Sequence, residues 1–149
     1  MKLWIKLIVI GVISGFILGE FFKFIQHVTG KGVYTLLLNV DYIPVLQDLP
    51  RTEGMEFFLH LIVSTLLIIL LFLWINNKNI HRIFTWCVTI CSLIGIILYP
   101  TTVFSVRTPE LVEVVAFSYW VSGHIIYGVI VGVLLGQLHK ESHKGMDRL

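Results

Sequence analysis

Charge is scarce in this chain: only 13% of its 149 residues are Asp, Glu, Lys or Arg, against 56% that are hydrophobic. With a mean hydropathy of +0.88, that shortage excludes a soluble domain, which could not cover so much apolar surface with so few charges. Cysteine is scarce too. Cys87 and Cys91 sit one helical turn apart in an apolar run, which matches no disulfide framework, zinc site or thioredoxin-type pair and reads as two small buried residues. There is no Ser-His-Asp order, His-Glu-x-x-His pattern, phosphate loop or dinucleotide fingerprint, so no known catalytic signature sets a reaction. No internal repeat of the kind that marks transporter halves is present. The formal net charge of +2 is spread along the chain and gives no reason to propose nucleic acid.

What the chain has instead is long apolar runs. Four stretches approach or exceed the roughly 20 residues that cross a bilayer: 3–28, 55–75, 83–100 and 111–138. They predict an all-α integral membrane protein, four transmembrane helices forming an antiparallel bundle. The first has the short basic start of a signal peptide but no small-x-small cleavage site. Phe21, Phe22, Phe24 and Ile25 carry the apolar pattern past Glu20, so it is expected to stay as a span.

Orientation follows from the basic residues. With both termini cytoplasmic, Lys2, Lys6, Lys78, Arg82, Lys140, Lys144 and Arg148 lie inside, and Lys31, Arg51 and Arg107 outside. Seven against three is the bias expected of cytoplasmic loops. The expected location is the cell membrane, with the lipid bilayer as the immediate partner.

The connections are unequal. The segment 76–82 is a short polar turn, which predicts that the second and third spans are antiparallel neighbours. The outer loop 29–54 is long and partly apolar, at Tyr34–Leu38 and Tyr42–Leu46, and is expected to lie at the interface or cap the bundle. Its aromatics, with Tyr119 and Trp120, fit an interfacial belt. Thr108 is expected to cap the last helix, with Pro109 in its first turn. The tail 139–149 is polar and expected to be disordered.

Two ladders of glycine at four-residue steps stand out: Gly11, Gly15, Gly19, and Gly128, Gly132, Gly136, the latter led by His124. In lipid such ladders let helix backbones approach closely. Matching the two ladders face to face puts His124 level with Glu20 and Lys23, which are themselves spaced to pair on one helix. Gly95, in the third span and outside any ladder, is expected to tolerate substitution better. A second pattern, Glu56, His60 and Ser64, makes a polar stripe down the second span, and by residue counting His124 lies deeper than His60.

Ionisable residues inside a span are costly and mark site candidates. Glu20, His60 and His124 are the candidates for acid-base work. Lys23, Glu56, Ser64, Tyr119 and Tyr127 are candidates for holding a ligand, with Ser118 and Ser122 as further hydroxyls around His124. Three readings of such an outer-half cluster compete: proton or ion handling, acid-base chemistry on a lipid or lipoprotein under a loop lid, and a metal or haem held by His60 and His124. The leading expectation is a small multi-pass protein whose polar pocket binds a small ligand, ion or lipid group. A membrane-embedded enzyme is the alternative, and a structural or accessory subunit, docking a second copy or another membrane protein through its glycine faces, is a further one.

Leu59-His60-Leu61-Ile62-Val63-Ser64, the Tyr99-Pro100 turn, Thr108-Pro109-Glu110, Ser122-Gly123-His124-Ile125-Ile126-Tyr127 and the Phe22-Lys23 pair together resemble the YagU-like family of small bacterial inner-membrane proteins. Tyr127-Gly128 and Gly132 are also similar to the late last span of the YqhR-like small membrane proteins of spore-forming bacteria. Where the YagU-like first span is followed by Pro-Pro-Arg, this chain has Gly30-Lys31-Gly32. The resemblance implies a four-span bacterial membrane protein that uses its histidines, and supplies no reaction.

Overall fold

The computed structural model describes residues 2–40, 52–75 and 80–146, the side chains of 80, 81 and 141–146 excepted. Helices α1 (Leu3–Thr29), α2 (Val33–Leu38), α3 (Glu53–Ile75) and α4 (Ile80–Leu98) are followed by a 3-10 segment, Tyr99–Phe104, and by α5 (Val114–Met146). No strand occurs among the described residues. Four helical stretches are long and apolar enough to cross a membrane: Leu3–Thr29, Glu53–Ile75, Arg82–Phe104 and Val114–Lys140. At 1.5 Å per residue α1 alone is about 40 Å long, against about 30 Å of bilayer hydrocarbon.

Helix α1 ends where its pattern meets Gly30, whose φ of 70° is left-handed, and whose N–H bonds the Gln26 carbonyl at 2.9 Å. That conformation is open to glycine and closed to most other residues. The chain then turns straight into α2, which Gln26 holds by accepting from the Thr35 N–H at 2.9 Å and donating to the Thr35 hydroxyl at 3.0 Å. Val33, Tyr34, Leu36 and Leu38 of α2 are buried against α1 and α3. The part of the outer loop carrying Tyr42–Leu46, and the polar turn at 76–79, lie outside the described residues.

Packing differs from the expected ladder-on-ladder arrangement. Helix α1 packs against α3 and α5, and α5 against α4. The α1 glycines do not face the α5 glycines. A Cβ on Gly11 would lie 2.5 Å from Thr65 Cα, on Gly15 2.7 Å from Ser64, and on Gly19 2.5 Å from Phe57, so this ladder is the seat of α3. On α5, a Cβ on Gly128 would meet Val88 Cα at 2.8 Å, and on Gly132 Phe84 at 3.0 Å, while Gly136 has nothing within 4 Å. The reason lies in the partner faces. Gly11 and Gly15 step by four, Ser64 and His60 step back by four, and each pair joins through a hydrogen bond on helices running in opposite directions. What α5 offers α1 is bulk: Phe22 stacks on Trp120 at 5.1 Å and fills the hollow above Gly123.

Helices α3 and α4 scarcely touch, which corrects the expectation of close neighbours. They meet near the short turn, where Trp74 and Trp86 lie edge to face at 5.1 Å. Further along they leave a gap. Two other local expectations change. Helix α5 starts at Val114 and not near 111, because Thr108 shares its hydroxyl proton between the carbonyls of Thr102 and Ser105, each at 3.0 Å, and closes the preceding turn instead of capping the helix. The polar tail continues α5 as helix through Met146.

Candidate functional site

The gap between α3 and α4 is the site. It encloses a cavity of about 190 Å³, room for several waters or a small ligand group. Its floor is α5 (Trp120, His124, Tyr127) with Leu18 of α1, its roof residues 36–40, and its walls α3 from Glu56 to Leu67 and α4 from Cys91 to Leu98, with Thr101 of the 3-10 segment. Among lining residues, Ile62 is 40% exposed, Val63 61% and Leu98 36%. These three stand on the α3 and α4 rims. Exposed apolar side chains therefore edge the cavity between α3 and α4.

Each histidine is fixed by a backbone carbonyl. His60 Nε2 lies 3.0 Å from the Gly15 carbonyl and His124 Nδ1 2.9 Å from the Trp120 carbonyl. Carbonyl oxygens only accept, so these nitrogens carry the ring protons. Gly15 lets α3 come close enough for the first bond; Gly95 leaves room for the second ring, since a Cβ there would stand 2.6 Å from His124 Cγ. Trp120, 2% exposed, donates its indole N–H to the Gly95 carbonyl at 2.7 Å and lies 4.5 Å from the His124 ring. Below them, Ser64 donates to the Gly11 carbonyl at 2.8 Å. Its single proton is thereby used, so the Tyr127 hydroxyl, 2.8 Å away, is the donor to Ser64.

Above the histidines the cap end is tied by ion pairs. Arg107 bonds Glu56 at 3.0 Å and reaches the Asn39 side-chain oxygen at 3.5 Å. Lys31 pairs with Glu113. Lys23 pairs with Glu53 at 2.6 Å and lies over the Tyr34 ring, 5.5 Å from its centre. The Tyr34 hydroxyl also donates to Glu53, and burial followed by that carboxylate raises its pKa above the usual phenol range.

Of the expected site residues, His60, His124, Glu56, Ser64 and Tyr127 line this one cavity. Glu20 and Lys23 do not. Glu20 is exposed and makes no hydrogen bond or ion pair among the described residues, and Lys23 is bonded to Glu53 across to α3, not to Glu20 on its own helix. The shared depth of Glu20, Lys23 and His124 rested on ladders that do not face each other. Tyr119 is on the neighbouring face of α5, and Ser118 and Ser122 are exposed and bonded back to the carbonyls of Val114 and Ser118, so none of the three surrounds His124. Trp120, read as an interfacial aromatic, is core. Gly95, Phe22 and Arg107 are neighbours of the site that sequence reasoning missed. The signal for them was local and slight: Trp120 and His124 are one helical turn apart, and a lone glycine in an apolar span often marks a close approach.

For a metal or haem iron the ring nitrogens left to these histidines are His60 Nδ1 and His124 Nε2, since the other nitrogen of each ring is bonded to a backbone carbonyl, as in many histidine ligands. Among the described residues no three His, Cys, Asp or Glu side chains are grouped to hold a metal ion. Compared with family models, curated proteins and solved structures, the chain matches none.

Proposed function

We propose that this is a four-span protein of the cell membrane, its helices an antiparallel bundle with both termini cytoplasmic, and that the cleft binds one hydrophobic or amphipathic small molecule drawn from the bilayer. The observation that supports the binding role is the exposed apolar edge of the cavity between α3 and α4. Its rim residues Ile62, Val63 and Leu98 are apolar, so in a bilayer they face lipid chains, and what passes them must be greasy. On this reading α2 and the rest of the 29–54 loop close the cleft on the outer side, as the excess of cytoplasmic Lys and Arg implies.

The alternatives fare less well. A nucleophilic enzyme needs a base against the nucleophile, but Ser64 gives its proton to the Gly11 carbonyl and the His60 N–H goes to the Gly15 carbonyl. An accessory subunit docking through its glycine faces loses Gly11, Gly15, Gly19, Gly128 and Gly132, which lie against α3 and α4. A photoreactive (diazirine) alkyl chain added to membranes tests the proposal. Adducts should concentrate on residues 59–67 and 91–98 and fall when Val63→Phe narrows the gap. Adducts spread evenly over all exposed helix faces, unchanged by Val63→Phe, would overturn it.

A further inference from the structure

The hydroxyl and indole donors lining the cavity are already used. Ser64 donates to Gly11, Tyr127 to Ser64, Trp120 to Gly95, and the Thr101 hydroxyl to the Leu98 carbonyl at 2.7 Å. The Asn39 amide nitrogen presents no surface to the cavity. The acceptors are in the opposite condition. With their protons placed on the carbonyl-bonded nitrogens, the neutral imidazoles keep one lone pair each, on His60 Nδ1 and His124 Nε2. Neither nitrogen has a hydrogen-bond partner among the described residues, and neither is sealed from the cavity. The carboxylate of Glu56, held by Arg107, adds a third acceptor at the roof.

An apolar cleft whose strong accessible polar groups are acceptors selects its occupant. A carboxylate, ketone or ester oxygen would meet lone pairs and leave the imidazoles unpaired. A hydroxyl proton satisfies one of them. We infer that the ligand is a single-chain lipid alcohol, an apolar chain ending in a hydroxyl, which lies with its chain through the α3–α4 gap and donates its proton to His124 Nε2 or His60 Nδ1. This rests on the proposed binding of a bilayer-derived molecule and specifies its chemistry.

The test uses the full chain with Trp120 as its single tryptophan, Trp4, Trp74 and Trp86 being replaced by Phe. Trp120 forms part of the cavity floor, so bromine on a bound chain quenches it on contact. The probes are a bromine-tagged long-chain primary alcohol, its O-methyl ether and the matching methyl ketone. The alcohol should half-quench Trp120 at a concentration at least about tenfold lower than ether or ketone, because a buried site built for a hydroxyl penalises analogues that lack it. In the pair His60→Phe and His124→Phe that preference should shrink to about twofold or less, the residue of ordinary differences in solvation. Should the single-tryptophan protein fail to fold, the same three compounds can compete with the photoreactive chain on the unaltered protein. Equal quenching by alcohol and ether would overturn the inference and leave the binding cleft standing. No quenching by any probe would overturn both.

Discussion

The glycines of α1 and of α5 follow the same four-residue step, yet they meet opposite kinds of surface. Those of α1 seat a polar stripe: Gly11 and Gly15 let Ser64 and His60 reach α1 carbonyls. Those of α5 meet the apolar start of α4, at Phe84, Cys87 and Val88, and the ladder then runs out at Gly136. The difference teaches that a glycine ladder states how closely a partner can approach and leaves open which partner comes. The partner is decided by complementarity. On α3 that was a stripe of side chains able to donate to carbonyls, and in a low-dielectric interior each such donor needs a partner.

The largest effect expected from this comparison is at the closest backbone contacts. Gly11→Leu and Gly128→Leu would each drive a side chain into the facing helix backbone, and should cost about 3 kcal/mol or more, read as loss of the folded fraction in detergent. A wild-type-like thermal midpoint for Gly11→Leu would break the pairing of α1 with α3, and for Gly128→Leu that of α5 with α4. Gly95→Ala comes next, at about 1–3 kcal/mol. It would press on His124, so ligand binding should fall along with stability, although Gly95 belongs to no ladder.

Smaller effects separate the cavity from the cap. A double-mutant cycle between Glu20→Gln and His124→Phe should give coupling below about 0.5 kcal/mol, as for sites without shared partners. Coupling of several times that size would restore the single cluster expected from sequence. Lys23→Met should lose only a contribution that salt already screens, since Lys23 and Glu53 are both exposed. Smallest of all is Gly136→Ala. With nothing near the added methyl, it should be neutral or stabilise by up to about 1 kcal/mol, through helix propensity alone. A clear loss there would mean that another chain covers Gly136.

Much of this was legible from residue order alone. Four helices of spanning length follow from runs such as 55–75, whose hydrophobicity no other class of structure needs. The stripe Glu56, His60, Ser64, with His124 and Tyr127, was legible as polar and inward, because period and cost both point a buried polar group at a neighbour. The neighbour was not legible. Lys23 is three residues from Glu20 and thirty from Glu53, and sequence spacing favours the near acid. The chain reverses through α2, brings the start of α3 beside the end of α1, and makes the distant acid the closer one. The cavity was hidden for the same reason: a short turn implies adjacent helices, but among the described residues α3 and α4 make few contacts, Trp74 on Trp86 being one.

The central claim is that the cleft between α3 and α4 is open to the bilayer, and one measurement tests it most directly. Trp120-only and Trp4-only proteins are reconstituted in bilayers whose phospholipid chains carry bromine near the middle. Trp4, 55% exposed on α1, reports contact with lipid in general. An open cleft predicts that Trp120, although only 2% exposed, is quenched to a comparable degree, and that Val63→Phe protects it while leaving Trp4 unchanged. Trp120 fluorescence that stays bright where Trp4 is quenched would contradict an open cleft.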